Sequence, residues 1–307
     1  MKILKIKPYF AERIWGGQKL AEMGFEIPKD KLIGEAWIIS AHENGMGYIS
    51  SNDEFNNISL KELFEKHRNL FGNYKGEYPL LVKILTPKDY LSVQVHPNDE
   101  YALKHHNSLG KPESWYVIEA PNNSKLVYGH NAKTKDELIS MVENNEWDKL
   151  LKKVDVENND FLYVPPGKVH AIYPDVVVYE LQRSSDITYR FYDYDRVDAK
   201  TGKGRELHIQ ESIDNTKIPD SDNFHFHNVN KNIFSSDYFS LYKLNAQEEN
   251  IFNCPEKTSW LQITVLNGEG NINGIAFKKM ESAITIDVVE TLNVSGNLQL
   301  LISWIRN

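Results

Sequence analysis

Residues 91–99 read LSVQVHPND. Side chains alternate across an extended chain, so Ser92, Gln94 and His96 would share one face and Leu91, Val93 and Val95 the other. An amide and an imidazole at i and i+2 can reach one cation. They can equally form a polar surface, which is the usual setting of an isolated histidine. Three further segments carry matching groups. Glu113 stands just before the aromatic run Ser114-Trp115-Tyr116-Val117 and by itself reads as a solvated charge. In Asn158–His170 a turn feeds an apolar strand, Pro165-Pro166-Gly167 redirects the chain, and His170 follows three residues after the glycine. Such a corner aims an imidazole at a fixed offset, although a tight turn with an exposed histidine has the same pattern. The last segment, Val176–Arg190, holds Glu180, Asp186 and Arg190. An extended chain from Asp186 onward would put Asp186 and Arg190 on one face, either as a surface ion pair or as part of a site.

Gln94, His96, Glu113 and His170 together make a nitrogen and oxygen donor set suited to zinc. Two neutral imidazoles, a carboxylate and a weak amide oxygen leave room for water or substrate. The ion would keep net positive charge and could stabilise an oxyanion on a bound molecule. Lys83 interrupts the apolar run Pro79–Leu85, where a charge buried on both faces is costly unless paired. It is either an edge-strand ammonium reaching water or a cation kept for an acidic partner or an anionic ligand. Two other histidine sets are weaker. His225-Phe226-His227 has the i, i+2 spacing, but no glutamate follows at a useful distance. His105 and His106 are adjacent, so on a helix they point in different directions.

The elements that must hold these groups are mostly strands. Leu80–Leu85, Leu91–His96, Ser114–Glu119, Phe161–Val164, Val176–Leu181 and Ile187–Tyr192 are rich in β-branched, aromatic and aliphatic residues. Helices are few. Ser59 with Glu62 reads as a capping box opening a helix to about Phe71, and Thr134 with Glu137 opens a second. Asp99 could cap a short helix over Glu100–His106, and Glu206–Ile213 also reads as helical. Beyond about residue 230 the helical signals vanish. Tyr238–Leu244, Leu261–Leu266, Ala283–Val288 and Leu298–Trp304 alternate with turn clusters, as in a sandwich or barrel. The fold class predicted is mainly β, with two β-sandwich units. The polar stretch Pro219–Asn232 divides them into residues 1–225, with helical insertions and the candidate site, and an all-β unit of residues 226–307. No histidine follows His227, so the second unit offers no obvious metal site.

The 307 residues are 41% hydrophobic and 25% charged, ordinary for a soluble globular protein with a substantial core. No stretch approaches the length of a membrane span, and MKILKIKPYF has no secretory pattern. Cys254 is the single cysteine, which excludes a disulfide framework and fits a reducing cytoplasm. A net charge of −8 without a Lys/Arg run argues against nucleic-acid binding but not against a small anion.

Six segments carry a specific resemblance: RIWGGQKL (Arg13–Leu20), GEAWIISAHENG (Gly34–Gly45), QVHPND (Gln94–Asp99), GKPESWYV (Gly110–Val117), VPPGKVHAI (Val164–Ile172) and ELQRSSDITYRFYDYDR (Glu180–Arg196). In this order they resemble the type I mannose-6-phosphate isomerases, closest to the short bacterial members. The resemblance implies two cupin-like jelly-roll units and an aldose–ketose isomerase acting on a sugar phosphate. It implies one Zn2+ per chain, with Gln94, His96, Glu113 and His170 at the ligand positions. Arg190 falls on the family's essential arginine and Lys111 on a substrate-binding lysine. Glu180 and Asp186 match acidic residues lining the pocket, and Lys83 adds positive charge for the substrate. The chain departs from general cupins in having Gln94 where they carry the first histidine, and in the later position of Glu113. Asp186 is the favoured general base, ahead of Glu180 and His96. Two other readings stand beside this one: another metal-dependent cupin enzyme, and a non-catalytic sugar-phosphate-binding protein. Oligomeric state is not legible.

Overall fold

In a computed structural model, which describes residues 2–198, 201–287 and 291–306, the predicted mainly β architecture is what forms. The chain divides into two compact units. One comprises Met1–Ala11, Gln18–Ile84 and Val229–Asn307, the other Glu12–Gly17 and Leu85–Asn228. This is not a cut at residue 225. The strand Lys2–Lys7 pairs antiparallel with Ser282–Ile286, Leu4 lying opposite Ile284, so the first residues belong with the last. A pairing across nearly the whole chain leaves no local signature, which is why a boundary read from composition missed it.

The unit holding both chain ends is built on a nine-stranded antiparallel sheet. Its spine is the long strand Thr291–Ile305 beside Gln262–Ile272. Leu261, Ile263, Val265, Leu298, Leu300 and Ile302 are fully or almost fully buried in its core. Three of the four strands predicted here run longer than expected, whereas Ala283–Val288 forms as Ser282–Ile286, its Val288 lying outside the described residues.

The other unit packs two sheets face to face. One contains, side by side, His225–Phe226, Phe161–Val164, Glu113–Glu119 and Val177–Arg183; the other runs Tyr189–Tyr192, Val93–Val95, His170–Ile172, Lys125–His130 and Leu151–Asp155. Between them Trp115, Val117, Leu126, Tyr128, Leu162, Val164, Ile172 and Val178 form a buried core. The second sheet turns Val93, Val127, Ala171 and Phe191 outward, where Leu138, Val142, Leu150 and Ile213 from three helices cover them. The alternation of the strands therefore sends the other residues of those strands into the sandwich.

The helices follow their caps. Ser59 accepts from Glu62 N and Thr134 from Glu137 N, as the capping boxes predict. The helix opened by Ser59 covers Leu60–Lys66 and passes into a 3-10 turn at Arg68–Phe71. Two predicted starts shift. Asn98, not Asp99, caps the helix Asp99–His106. The last helix is Ile209–Asn215 rather than Glu206–Ile213. No helix among the described residues is long and apolar enough to cross a membrane.

Candidate metal centre

The inner faces of the two sheets are apolar at one end and polar at the other. On the strand Glu113–Glu119 the inward residues are Glu113, Trp115 and Val117. Opposite them on Val177–Arg183 stand Gln182, Glu180 and Val178. On the facing sheet Arg190, Gln94, His170 and Tyr128 lie in one cross-strand row, each directly opposite the next. Residues directly opposite in an antiparallel pair project to the same side. Polar groups from six strands, two of one sheet and four of the other, thus meet at one end of the sandwich.

His96, Glu113 and His170 converge most closely, with one donor atom from each lying within 4.8 Å of the others. His96 Nε2 is 3.2 Å from Glu113 Oε2, and His170 Nε2 is 3.3 Å from Glu113 Oε1. All three are at most 1% exposed. The far ring nitrogens are engaged: His96 Nδ1 meets the Ile187 carbonyl at 2.9 Å and His170 Nδ1 the Lys168 carbonyl at 2.7 Å. A carbonyl only accepts, so each ring donates from Nδ1, which turns its Nε2 toward the carboxylate; His96 Nε2 also meets Lys111 Nζ at 3.0 Å. That is how a protein prepares imidazole for a cation.

The fit to a metal can be tested on distance and on satisfaction. Two donors, each about 2.0–2.1 Å from a tetrahedral zinc ion, stand roughly 3.3 Å apart, and the two observed separations, each to a different oxygen of Glu113, are of that size. His170 Nε2 and Glu113 Oε1 are buried and, despite their proximity, lack the alignment of a hydrogen bond. Buried polar atoms left in this way are costly, and a cation would satisfy both. The positive charge these donors face is Lys111, whose Nζ is 2.6 Å from Glu113 Oε2 and 3.0 Å from His96 Nε2. Burial, then the Lys111 charge, lowers the His96 pKa to about 3 against the pull of Glu113, so the ring is neutral and able to ligate. Burial opposes the Glu113 charge, but Lys111 and the two imidazoles hold its carboxyl well below the usual carboxylate range.

Gln94 is half-buried, on the face and in the row of His170 and Arg190. Arg190 donates from Nη1 to the Glu206 carbonyl at 2.7 Å, while its buried Nε has no hydrogen-bond partner among the described residues. Its neighbours Arg205 and Arg196 are tied to Asp193, Arg205 by two bonds of 2.6 and 2.8 Å. Glu180 is buried and accepts from Trp115 Nε1 at 3.1 Å, and Trp115 lays its ring edge-on to His170. Lys83 belongs to the other unit. It is 7% exposed, so the reading as an ammonium reaching water does not hold; its Nζ lies 4.9 Å from the Trp37 ring.

Regular strand begins only at Val93, and Leu91 packs into the inner core with Trp115 and Val178, not beside Val93. Likewise residues 184–188 are irregular and the strand starts at Tyr189, so alternation does not place Asp186 beside Arg190. Asp186 is exposed on this loop, one residue before the Ile187 carbonyl that holds His96. Gln182, not singled out from the sequence, shapes the loop: its Nε2 donates to the carbonyls of Ser185 and Arg183 at 2.6 and 2.9 Å.

The Pro-Pro-Gly corner performs as predicted. Gly167, at φ +86, takes a conformation that favours glycine, and its N–H donates to the His96 carbonyl at 2.9 Å. One bond thereby links the segments bearing both histidines. The next residue was missed. Lys168 is buried, with Nζ 2.7 Å from Asp220 Oδ1 and 2.6 Å from the Asp222 carbonyl, and its own carbonyl orients His170. Lys168→Met would strand the buried Asp220 carboxylate, a loss of about 3–5 kcal/mol for a broken buried pair. Denaturant unfolding of metal-free protein checks this; a change under about 1 kcal/mol would contradict it.

A family model described as phosphomannose isomerase type I, catalytic domain, matches residues 3–125. The chain is 45% identical over 278 residues to mannose-6-phosphate isomerase ManA of Bacillus subtilis (strain 168), spanning 88% of this chain and 87% of that protein. It is 40% identical over 304 residues to the mannose-6-phosphate isomerase of Streptococcus mutans, spanning 95% of each. A crystal structure of the mannose 6-phosphate isomerase from Bacillus subtilis matches with a TM-score of 0.92 at 33% identity, over 99% of this chain and all of that one.

Proposed function

We propose that this chain, which belongs to the type I phosphomannose isomerase family, interconverts D-mannose 6-phosphate and D-fructose 6-phosphate with a bound zinc ion. The observation that carries this reading is the donor set: two imidazoles, each locked through Nδ1 to a backbone carbonyl, facing one buried carboxylate. His96, Glu113 and His170 would hold the ion, with Gln94 as a fourth, weaker donor in the same row. A zinc ion so held supplies Lewis acidity toward the oxygens at C1 and C2 of the open-chain sugar.

The protein's own groups account for the rest. Asp186 removes the proton at C2 of the aldose and returns it at C1 on the same face, through an enediolate, while the hydroxyl proton on O2 passes to O1. Its place beside Ile187 puts it on the loop that is bonded to the His96 ring. Arg190 pairs the developing oxyanion or the phosphate through its planar donors, since the bonds of Arg196 and Arg205 to Asp193 leave it the arginine of the three without that anchor. Lys111 adds charge at the ligand edge, and Glu180, fixed by Trp115, lines the same interior.

The reaction is tested by coupling fructose 6-phosphate formation to a dehydrogenase readout; zinc-replete protein without turnover would overturn the isomerase reading in favour of a sugar-phosphate-binding protein. The base is tested separately. Asp186→Asn is expected to lower kcat by roughly 10²–10⁴-fold while metal content stays unchanged. Near-normal turnover in that variant would remove Asp186 from the role.

A further inference from the structure

The pair His225 and His227 lacks a nearby carboxylate in the sequence, but the fold supplies one from Asp160. Strand His225–Phe226 pairs with Phe161–Val164, Leu162 opposite His225 and Phe161 opposite Phe226, which brings both histidines over the residue that precedes Phe161. Asp160 Oδ2 lies 2.9 Å from His225 Nε2 and 3.0 Å from His227 Nδ1. The carboxylate is 1% exposed and is held by backbone amides, Asn228 N on Oδ1 at 3.2 Å and Glu157 N on Oδ2 at 3.1 Å. The two rings are 4.2 Å apart between centroids. The His225 side chain is 7% exposed and that of His227 69%, so the cluster is sheltered on one side and open to solvent on the other.

We propose that Asp160, His225 and His227 form a second divalent-metal site, separate from the His96–Glu113–His170 centre. The three donor atoms lie within 4.8 Å of one another, as they do at the first centre. Two imidazoles and one carboxylate suit a borderline cation such as Zn2+, Co2+ or Ni2+, not Mg2+ or Ca2+, which prefer oxygen. The oxygen-to-nitrogen separations fall only a few tenths of an ångström short of the roughly 3.3 Å of two donors on a tetrahedral zinc ion. Binding requires the ring protons now bridging to Oδ2 to leave those nitrogens, which a neutral imidazole achieves by carrying its proton on the other ring nitrogen, with little movement of the frame. Water would complete the coordination on the His227 side. The ion would clip the short strand 225–226 to the head of strand 161–164, a structural role that leaves the isomerase chemistry alone.

The test is metal stoichiometry on the full chain. Stripped protein is loaded with Zn2+ or Co2+, passed through gel filtration and assayed for metal and for turnover. Two ions per chain are expected. His225→Ala/His227→Ala should retain one ion and normal turnover, while His170→Ala should retain one ion and lose turnover. If the double variant misfolds, His227→Gln, altered at an exposed position, should show the same loss of one equivalent. A single ion in the wild-type chain, or two in the His225→Ala/His227→Ala or His227→Gln chain, would overturn the proposal.

Discussion

His170→Ala is expected to reduce kcat/KM by at least about 10³-fold and to strip the metal from the His96–Glu113 pair. The magnitude follows from the several kcal/mol that a Lewis-acid ion contributes to stabilising developing charge, each ~1.4 kcal/mol being a factor of ten. The geometry explains why one ligand matters so much. His170 is fully buried, its Nδ1 is fixed by the Lys168 carbonyl, and its Nε2 has Glu113 Oε1 as its polar neighbour. Alanine removes the imidazole that faces Glu113 Oε1, and it leaves His96 as the single imidazole of the set. Metal content and turnover measured on the same preparation check the prediction. A His170→Ala chain that keeps both its metal and its activity would show that the ligand set has been assigned to the wrong residues.

Arg190→Lys should lower kcat/KM by about 10²–10³-fold, the loss seen when one preorganised donor to a developing oxyanion is removed, with metal content unchanged. Charge alone is not the point, since lysine keeps it. A guanidinium presents a rigid fork, whereas an ammonium is a hydrated point charge on a flexible stem. Here the fork is pinned at one corner by the Glu206 carbonyl, and its buried Nε has no hydrogen-bond partner among the described residues. Lysine reproduces neither feature. Arg205 cannot substitute, because both of its bonds go to Asp193. Full activity in Arg190→Lys would mean that positive charge suffices.

Much of the site was legible because it obeys local rules. The Ser59 and Thr134 caps formed where their partners at i+3 predicted, and the Pro-Pro-Gly corner delivered His170 to the interior. Gln94 turned inward as strand alternation requires. His96 shows where such rules stop. It lies one residue beyond the strand Val93–Val95, and a carbonyl 91 residues away, that of Ile187, fixes its ring. The same holds for Leu91 and Asp186, each placed by alternation in a segment that is not strand. What stayed illegible depends on contacts between distant residues: Lys168 with Asp220, Asp160 with His225 and His227, and the first strand with Ser282–Ile286. No spacing in the sequence encodes those encounters; the sheet register creates them.

The central claim is that His96, Glu113 and His170 hold a metal on which isomerisation depends. The most direct measurement is the coupled mannose 6-phosphate assay on the purified chain before chelation, after chelation, and after zinc is returned. Turnover that vanishes on chelation and recovers with zinc is the predicted result. Turnover that survives when metal analysis finds none bound would contradict the account.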